Sequence, residues 1–313
     1  MHLNQSLKAV CQSLVPGIRA TLAAALVVGA VLPASAATID RIKETNQINF
    51  GYFPEARPFT SSSTGGTPEG FGIDLCQQLA DRAKTALDVP QLKVNWVPVT
   101  KADYLTQIQA GSVDLLCTPI NQTLERRADV SFSIPVFPGG VRAVMREDAA
   151  KSLRDALNET PASRTLWRGS PAVKILGKKS FGVVAGTTSE TWLAGKINTF
   201  KIDSKAVPVA NYEEGIKKLV DGKIDVFFGD RSLVLGAMDV EAGKKLIVLD
   251  RFLTFDRYEF ALARGDEDFR LLVDRSLSDS YAASGFGDQF FKWFGEYDAK
   301  TRFFYDWNVI QPK

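Results

Sequence analysis

The sequence predicts an α/β protein of two lobes, each built on a mainly parallel sheet flanked by helices. Three observations carry that expectation. Short apolar runs alternate with stretches of helical spacing, the pattern of strands joined by crossover helices. The segment Ile108-Gln-Ala-Gly-Ser-Val-Asp-Leu-Leu-Cys117 is echoed by Leu219-Val-Asp-Gly-Lys-Ile-Asp-Val-Phe-Phe228, as if each lobe held one copy. The chain of 313 residues is too long for one small core and suits two.

The elements follow in order. Ile48–Tyr52 and Val94–Val99 read as strands, and Ile73–Leu87 as a helix burying Ile73, Cys76, Leu79, Ala80, Ala83 and Leu87. Tyr104–Ala110 is a short helix and Val113–Cys117 a strand. Beyond a connection at 158–175, rich in Pro, Ser and Gly and carrying Trp167, come a strand at Phe181–Ala185 and helices at Ser189–Ile197 and Tyr212–Val220. Ile224–Phe228 is a strand, and the tail from Asp266 to Tyr297 is helical with a break near Ser284-Gly285. In both copies of the echo a helix ends at a glycine, which favours the left-handed cap, and a strand with one aspartate follows. Both strands then turn polar, at Thr118–Arg126 and at Gly229-Asp230-Arg231. Open α/β sheets bind ligands outside the carboxyl ends of their strands.

Composition narrows the chemistry. Lys8 and Arg19 precede an uncharged apolar run, Ala20–Leu32, and Ala34-Ser35-Ala36 forms a small-residue cleavage site, so a secretory leader cleaved after Ala36 is expected. Its loss takes two basic residues from 38 and leaves 36 against 36 acidic ones, a neutral balance that argues against nucleic acid as partner. The single histidine is His2, which excludes His-dependent nucleophilic triads and His-ligated zinc from the mature chain. Cys76 and Cys117 form an even pair in an exported protein. Two readings stand: a disulfide, or two buried thiols.

Candidate binding residues sit at the strand ends. Arg126 offers a fork for a carboxylate, with Asn121 and Thr123 beside it; alternatively it is a solvated surface charge. Ala185-Gly186-Thr187-Thr188-Ser189-Glu190 follows a strand and opens a helix, so its amides form a second anion site, though Thr and Ser are also ordinary caps. Asp230 is placed to accept from an ammonium group, or else to cap the helix that follows. Together the three fit a zwitterion.

These residues give the chain a resemblance. Gly70-Phe-Gly-Ile-Asp-Leu75 with Leu79-Ala80, Thr123-Leu-Glu-Arg126 with Phe132-Ser133, Gly186-Thr-Thr-Ser-Glu190, Gly229-Asp230 and the closing helix Phe286–Gly295 resemble the solute-binding proteins, family 3, of amino-acid importers driven by ATP, over about Thr38–Gly295. The glutamate/aspartate branch is the most similar. Gly72 stands where an acidic residue is usual, Asn121 where Thr or Ser is, and Phe53 where binders of acidic amino acids place an arginine.

The resemblance implies a type II periplasmic-binding-protein clamshell with two hinge segments, near Arg142–Arg146 and Asp250–Tyr258. Lobe 1 is then 37–143 plus 254–313, and lobe 2 is 144–253. It implies that Arg126 and Thr187 or Thr188 hold an α-carboxylate and Asp230 an α-ammonium, with Thr118 and Asn121 on the same wall. Phe53, Arg57 and Lys101 are then the side-chain selectors, and Cys76 and Cys117 are bonded. No cofactor, metal or catalytic residue is implied. The partners are an amino acid and the permease and ATPase subunits of an importer, the location periplasmic and the state monomeric. Two alternatives stand beside this: an exported dehydratase of cyclohexadienyl acids such as arogenate on the same fold, for which Glu55 and Asp230 are the available carboxylates, and a sensor accessory.

Overall fold

The structure is a computed structural model that describes residues 37–63, 65–158, 170–240, 246–295 and 297–311. The expected leader with its cleavage site, and Trp167 with most of the 158–175 connection, lie outside the described residues.

The first lobe opens with α1 (Ala37–Thr45) and β1 (Gln47–Tyr52), then a small sheet of β2 (Glu55–Ala56), β3 (Thr60–Ser62) and β4 (Pro68–Glu69). It continues through α2 (Phe71–Ala86), β5 (Lys93–Pro98), α3 (Tyr104–Gln109), β6 (Leu115–Asn121), α4 (Arg126–Asp129) and β7 (Val130–Gly139). The second lobe takes β8 (Val141–Arg146), α5 (Lys151–Asn158), α6 (Pro171–Leu176), β9 (Ser180–Val184), α7 (Thr188–Phe200), β10 (Lys205–Val209), α8 (Tyr212–Val220), β11 (Val226–Asp230), α9 (Arg231–Val240) and β12 (Leu246–Val248). The chain then returns to the first lobe with β13 (Asp256–Ala263), α10 (Glu267–Ala282), α11 (Phe286–Phe294) and α12 (Ala299–Asn308).

The two large sheets have matching plans, β5-β1-β6-β13-β7 and β10-β9-β11-β8-β12. The helix-linked strands are parallel, as the alternation predicts. The strands beside the crossings between lobes pair antiparallel, because the chain re-enters each sheet from the opposite end. The echoed segments end in β6 and β11, the central strand of each sheet. Gly111 and Gly222 close the preceding helices at φ 70° and 72°, a conformation that costs a residue with a Cβ but not glycine. The echoed aspartates do the same work twice. Asp114 accepts the Asn49 amide of β1 at 2.7 Å, and Asp225 accepts the Ser180 amide of β9 at 2.9 Å. Each ties the approach to a central strand to its parallel neighbour, so both are structural.

The first lobe is held by an aromatic core. Phe137 stacks on Phe294 with centroids 4.7 Å apart, and Phe290 lies 4.5 Å from Phe294. Phe59 is fully buried among them, a packing role. The C-terminal helices belong to this lobe: the Tyr305 hydroxyl donates to the Val136 carbonyl at 2.9 Å and the Trp293 indole to Asp74 at 2.8 Å. Cys76 and Cys117 form a disulfide that ties α2 to β6, with Cα atoms 6.1 Å apart. Gly72 lies so close to this strand that a Cβ would come within 2.0 Å of the Cys117 carbonyl oxygen. A side chain has no room at that position.

The crossings between lobes are tight. β7 ends at Gly139 and β8 starts at Val141, so the first passage is Gly140 itself. The expected hinge at Arg142–Arg146, and with it the 143/144 boundary, is displaced: those residues are strand β8, paired with β11 inside the second sheet. The sequence marks an apolar run there but not which sheet receives it. The second passage lies between β12 and β13, and the expected 253/254 boundary falls within it. The passages bind each other: Val141 N donates to Thr254 Oγ1 at 2.9 Å, and a Cβ on Gly140 would meet the Thr254 carbonyl at 2.3 Å.

Candidate functional site: the cleft between the lobes

The carboxyl ends of the parallel strands of both sheets face one cleft of about 840 Å³. On the first-lobe wall, Phe53 follows β1, Lys101 follows β5, and Thr118, Asn121 and Arg126 come from the end of β6 and the start of α4. Phe53 is fixed twice. Its amide donates to Thr118 Oγ1 at 2.8 Å, and its ring stands edge-on to Tyr104 at 5.7 Å. Thr118 is in turn bonded to Thr60 at 2.6 Å. Arg126 is aimed by Asn121, whose carbonyl accepts from Nη1 at 2.8 Å, and by a hydrogen bond with the Tyr104 hydroxyl. Burial raises the pKa of Tyr104, with the Arg126 charge opposing, so the phenol stays neutral.

The second-lobe wall is two helix ends. Thr187 caps α7: its hydroxyl donates to the Val184 carbonyl at 2.7 Å and accepts the Glu190 amide at 3.4 Å. Glu190 reaches back to the Gly186 amide at 2.8 Å. Thr188 and Ser189, the first residues of the helix, also line the cleft, and leading helix amides have no partner within the helix. Asn211 caps α8 through the Glu214 amide at 2.8 Å. The loop before α8 also meets the first lobe. Asn211 Nδ2 donates to Glu55 at 2.7 Å, and Lys101 Nζ donates to the Ala210 carbonyl at 3.3 Å. Burial lowers the pKa of Lys101, and the charge of Glu55 opposes that shift.

The structure thus brings Phe53, Lys101, Thr118, Asn121, Arg126, Thr187 and Thr188 together. Arg57 and Asp230 are placed elsewhere. Arg57 turns away to pair with Glu69 and to donate to Ser61 at 3.3 Å. Asp230 is 2 % exposed and is absent from the cleft lining. One of its oxygens accepts the Ser232 amide at 2.9 Å and the other the Gly140 amide at 2.8 Å. It also bonds the Leu233 amide and the Tyr258 hydroxyl. In this conformation Asp230 caps α9 and clasps the first passage to both lobes. Burial pushes its pKa up to about 6 against these donors.

Tyr104, Asn211 and Tyr258 line the cleft and were not singled out from the sequence. Asn211 had a readable signal: it follows a strand, and Asn211 with Glu214 is a capping pair. The tyrosines carry no such mark.

Residues 48–296 match the bacterial extracellular solute-binding proteins, family 3. The chain belongs to that family. An L-glutamate/L-aspartate-binding protein of Pseudomonas aeruginosa is 27 % identical over 259 residues, spanning 82 % of this chain and 80 % of that protein. Among solved structures, an ancestral amino-acid-binding protein described as a precursor of cyclohexadienyl dehydratase superposes with a TM-score of 0.65 at 24 % identity, over 82 % of this chain and 99 % of that one. A substrate-binding protein of an ABC uptake transporter from Streptococcus pneumoniae with bound histidine gives 0.65 at 19 %, over 82 % and 96 %. At these identities the solved structures speak for the fold.

Proposed function

We propose that the protein captures an amino acid or close analogue between its lobes and hands it to a membrane importer powered by ATP, without chemical change. The observation that carries this is the meeting of Arg126 from the first lobe and the α7 amino end from the second on one cleft. A carboxylate seated there is held by both lobes, and a ligand that contacts both favours the closed state. A guanidinium fork and a helix amino end are each suited to a carboxylate. The relatives named for binding glutamate, aspartate and other amino acids support the ligand class, and family membership supports export, a periplasmic location and docking of the closed form on permease and ATPase subunits. The ammonium contact expected of Asp230 requires Tyr258 to yield its hydrogen bond.

The test is a thermal-shift screen of the mature protein, stripped of ligand by refolding, against the common amino acids and the cyclohexadienyl acids. A ligand at about 100 times its Kd stabilises by about 2.7 kcal/mol, a rise of several degrees. A rise with one class of amino acid supports capture. Turnover of a cyclohexadienyl acid would replace capture with catalysis.

A further inference from the structure

We infer that Glu259 is a positioning residue for ligand capture: from behind the cleft wall its carboxylate holds Gln122, and through Gln122 the turn that aims Arg126. The inference rests on amino-acid capture at Arg126. Glu259 lies on β13, next to Tyr258, which lines the cleft. Glu259 itself is 2 % exposed and is not part of the lining. β13 runs between β6 and β7, and its pairing with both strands slips at Glu259. Irregularities of this kind re-aim side chains beside sites. Glu259 Oε2 accepts from Gln122 Nε2 at 2.7 Å. Gln122 sits between the two residues that fix Arg126. The Asn121 carbonyl accepts from Arg126 Nη1 at 2.8 Å, and Thr123 Oγ1 accepts the Arg126 amide at 3.1 Å. The bond to Glu259 thus pins the middle of the turn to a strand distant in sequence.

The charge of Glu259 is poorly compensated. Its other oxygen meets Arg257 Nε at 3.8 Å, but the Arg257 side chain is exposed and water screens the pair. The groups that face Glu259 from neighbouring elements are Arg127 of α4 and Asp274 and Tyr281 of α10. Asp274 is buried too; it accepts the Ile134 amide at 2.8 Å and lies 3.8 Å from Arg270. Burial pushes the pKa of Glu259 up to about 7, with the Arg257 and Arg127 charges opposing and Asp274 adding to the rise. Arg126 is not among these charges, so the link to it runs through the turn. Ionised, Glu259 gives Gln122 a charge-assisted bond; protonated, it gives a neutral one of about half the strength. The turn around Arg126 is held most firmly by the ionised form and loosens as the carboxyl takes up its proton. By reciprocity, a ligand that favours the firm turn expels that proton. The single histidine of the chain is His2, in the expected leader, so no imidazole of the mature chain competes for this response near neutrality.

The common amino acids, screened one by one by thermal shift, supply the probe: the one that shifts the wild type most. Its affinity is then measured by calorimetry at about pH 6 and about pH 8 in the wild type, Glu259→Gln and Gln122→Met. From the higher pH to the lower, the wild type should lose about fivefold more affinity than Glu259→Gln, the difference between a charge-assisted and a neutral hydrogen bond. Glu259→Gln keeps the shape without the charge, so it should match the wild type at the lower pH and fall short of it at the higher. Gln122→Met keeps the carboxyl but cuts the link, and should lose the same extra slope. Every other titrating group, the probe's own included, is common to the three proteins. A purely structural Glu259 would shift affinity equally at both pH values. A wild-type profile no steeper than that of Glu259→Gln, or an extra slope that persists in Gln122→Met, overturns the positioning role and leaves capture standing. Binding of no amino acid by the wild type overturns capture itself, and this role with it. Gln122 is partly exposed, so Gln122→Met decides the matter if Glu259→Gln does not fold.

Discussion

Removing the Asp230 carboxylate should loosen the molecule at the joint between its lobes. Asp230→Ala strands the Gly140 amide and the Tyr258 hydroxyl, both buried against the carboxylate, and uncaps α9. Each stranded donor costs about 1–3 kcal/mol, and a lost cap about 0.5–2 kcal/mol. The expected loss is therefore about 3 kcal/mol or more, a fall in melting temperature of roughly 6–12 °C for a chain of this size. The loss also depends on pH. Because burial raises the folded-state pKa to about 6, above the unfolded value of about 3.9, the native protein holds a proton between these values that the unfolded chain releases. Wild-type stability from this group thus rises as pH falls from 7 to 4, by about 2 kcal/mol, and the variant lacks that gain. Thermal unfolding followed by circular dichroism, without ligand, at pH 7 and pH 4 measures both effects. A variant within about 2 °C of wild type, with the same difference at both pH values, would refute the clasp.

Reducing the Cys76–Cys117 bond, which spans a sequence separation of 41, should lower unfolding free energy by about 4 kcal/mol on the loop-entropy argument. Denaturant curves with and without dithiothreitol check this, and identical midpoints would contradict it. Gly72→Ala drives a Cβ to within 2.0 Å of a backbone oxygen and should cost about 3 kcal/mol. Gly195→Ala in exposed α7, where a Cβ meets nothing within 4 Å, should instead stabilise by about 0.5–1 kcal/mol. A similar effect at both sites, read by urea denaturation, would show that the packing of α2 on β6 is looser than described.

Much of this is legible in the sequence. The alternation of strands and helices, and the repeat that became the two central strands, follow from periodicity and glycine placement, which are local properties. So does the rule that strand ends face a ligand crevice, and it points to Arg126, Thr187 and Thr188, which line the cleft. What was not legible depended on partners far away in the chain. The resemblance implies a hinge near Arg142–Arg146, but Val141–Met145 pairs with β11, far along the chain, and that pairing sets the passage at Gly140. Arg57 reads as a free cation until Glu69 is brought beside it by the hairpin of β3 and β4. Asp230 carries two signals, a strand-end carboxylate and a helix cap. Only the fold, by placing Gly140 and Tyr258 against it, decides which of them this conformation uses.

The central claim is that Arg126 seats a ligand carboxylate between the lobes. Its most direct test is calorimetric titration of the best amino acid from the thermal screen into wild type and Arg126→Ala side by side. Arg126 is partly exposed and carries no ion pair within 4.0 Å among the described residues, so the variant should keep its fold. The account predicts a loss of affinity of about 10- to 100-fold or more with little change in melting temperature. Equal affinity in the two proteins would contradict it and move the binding site away from this cleft wall.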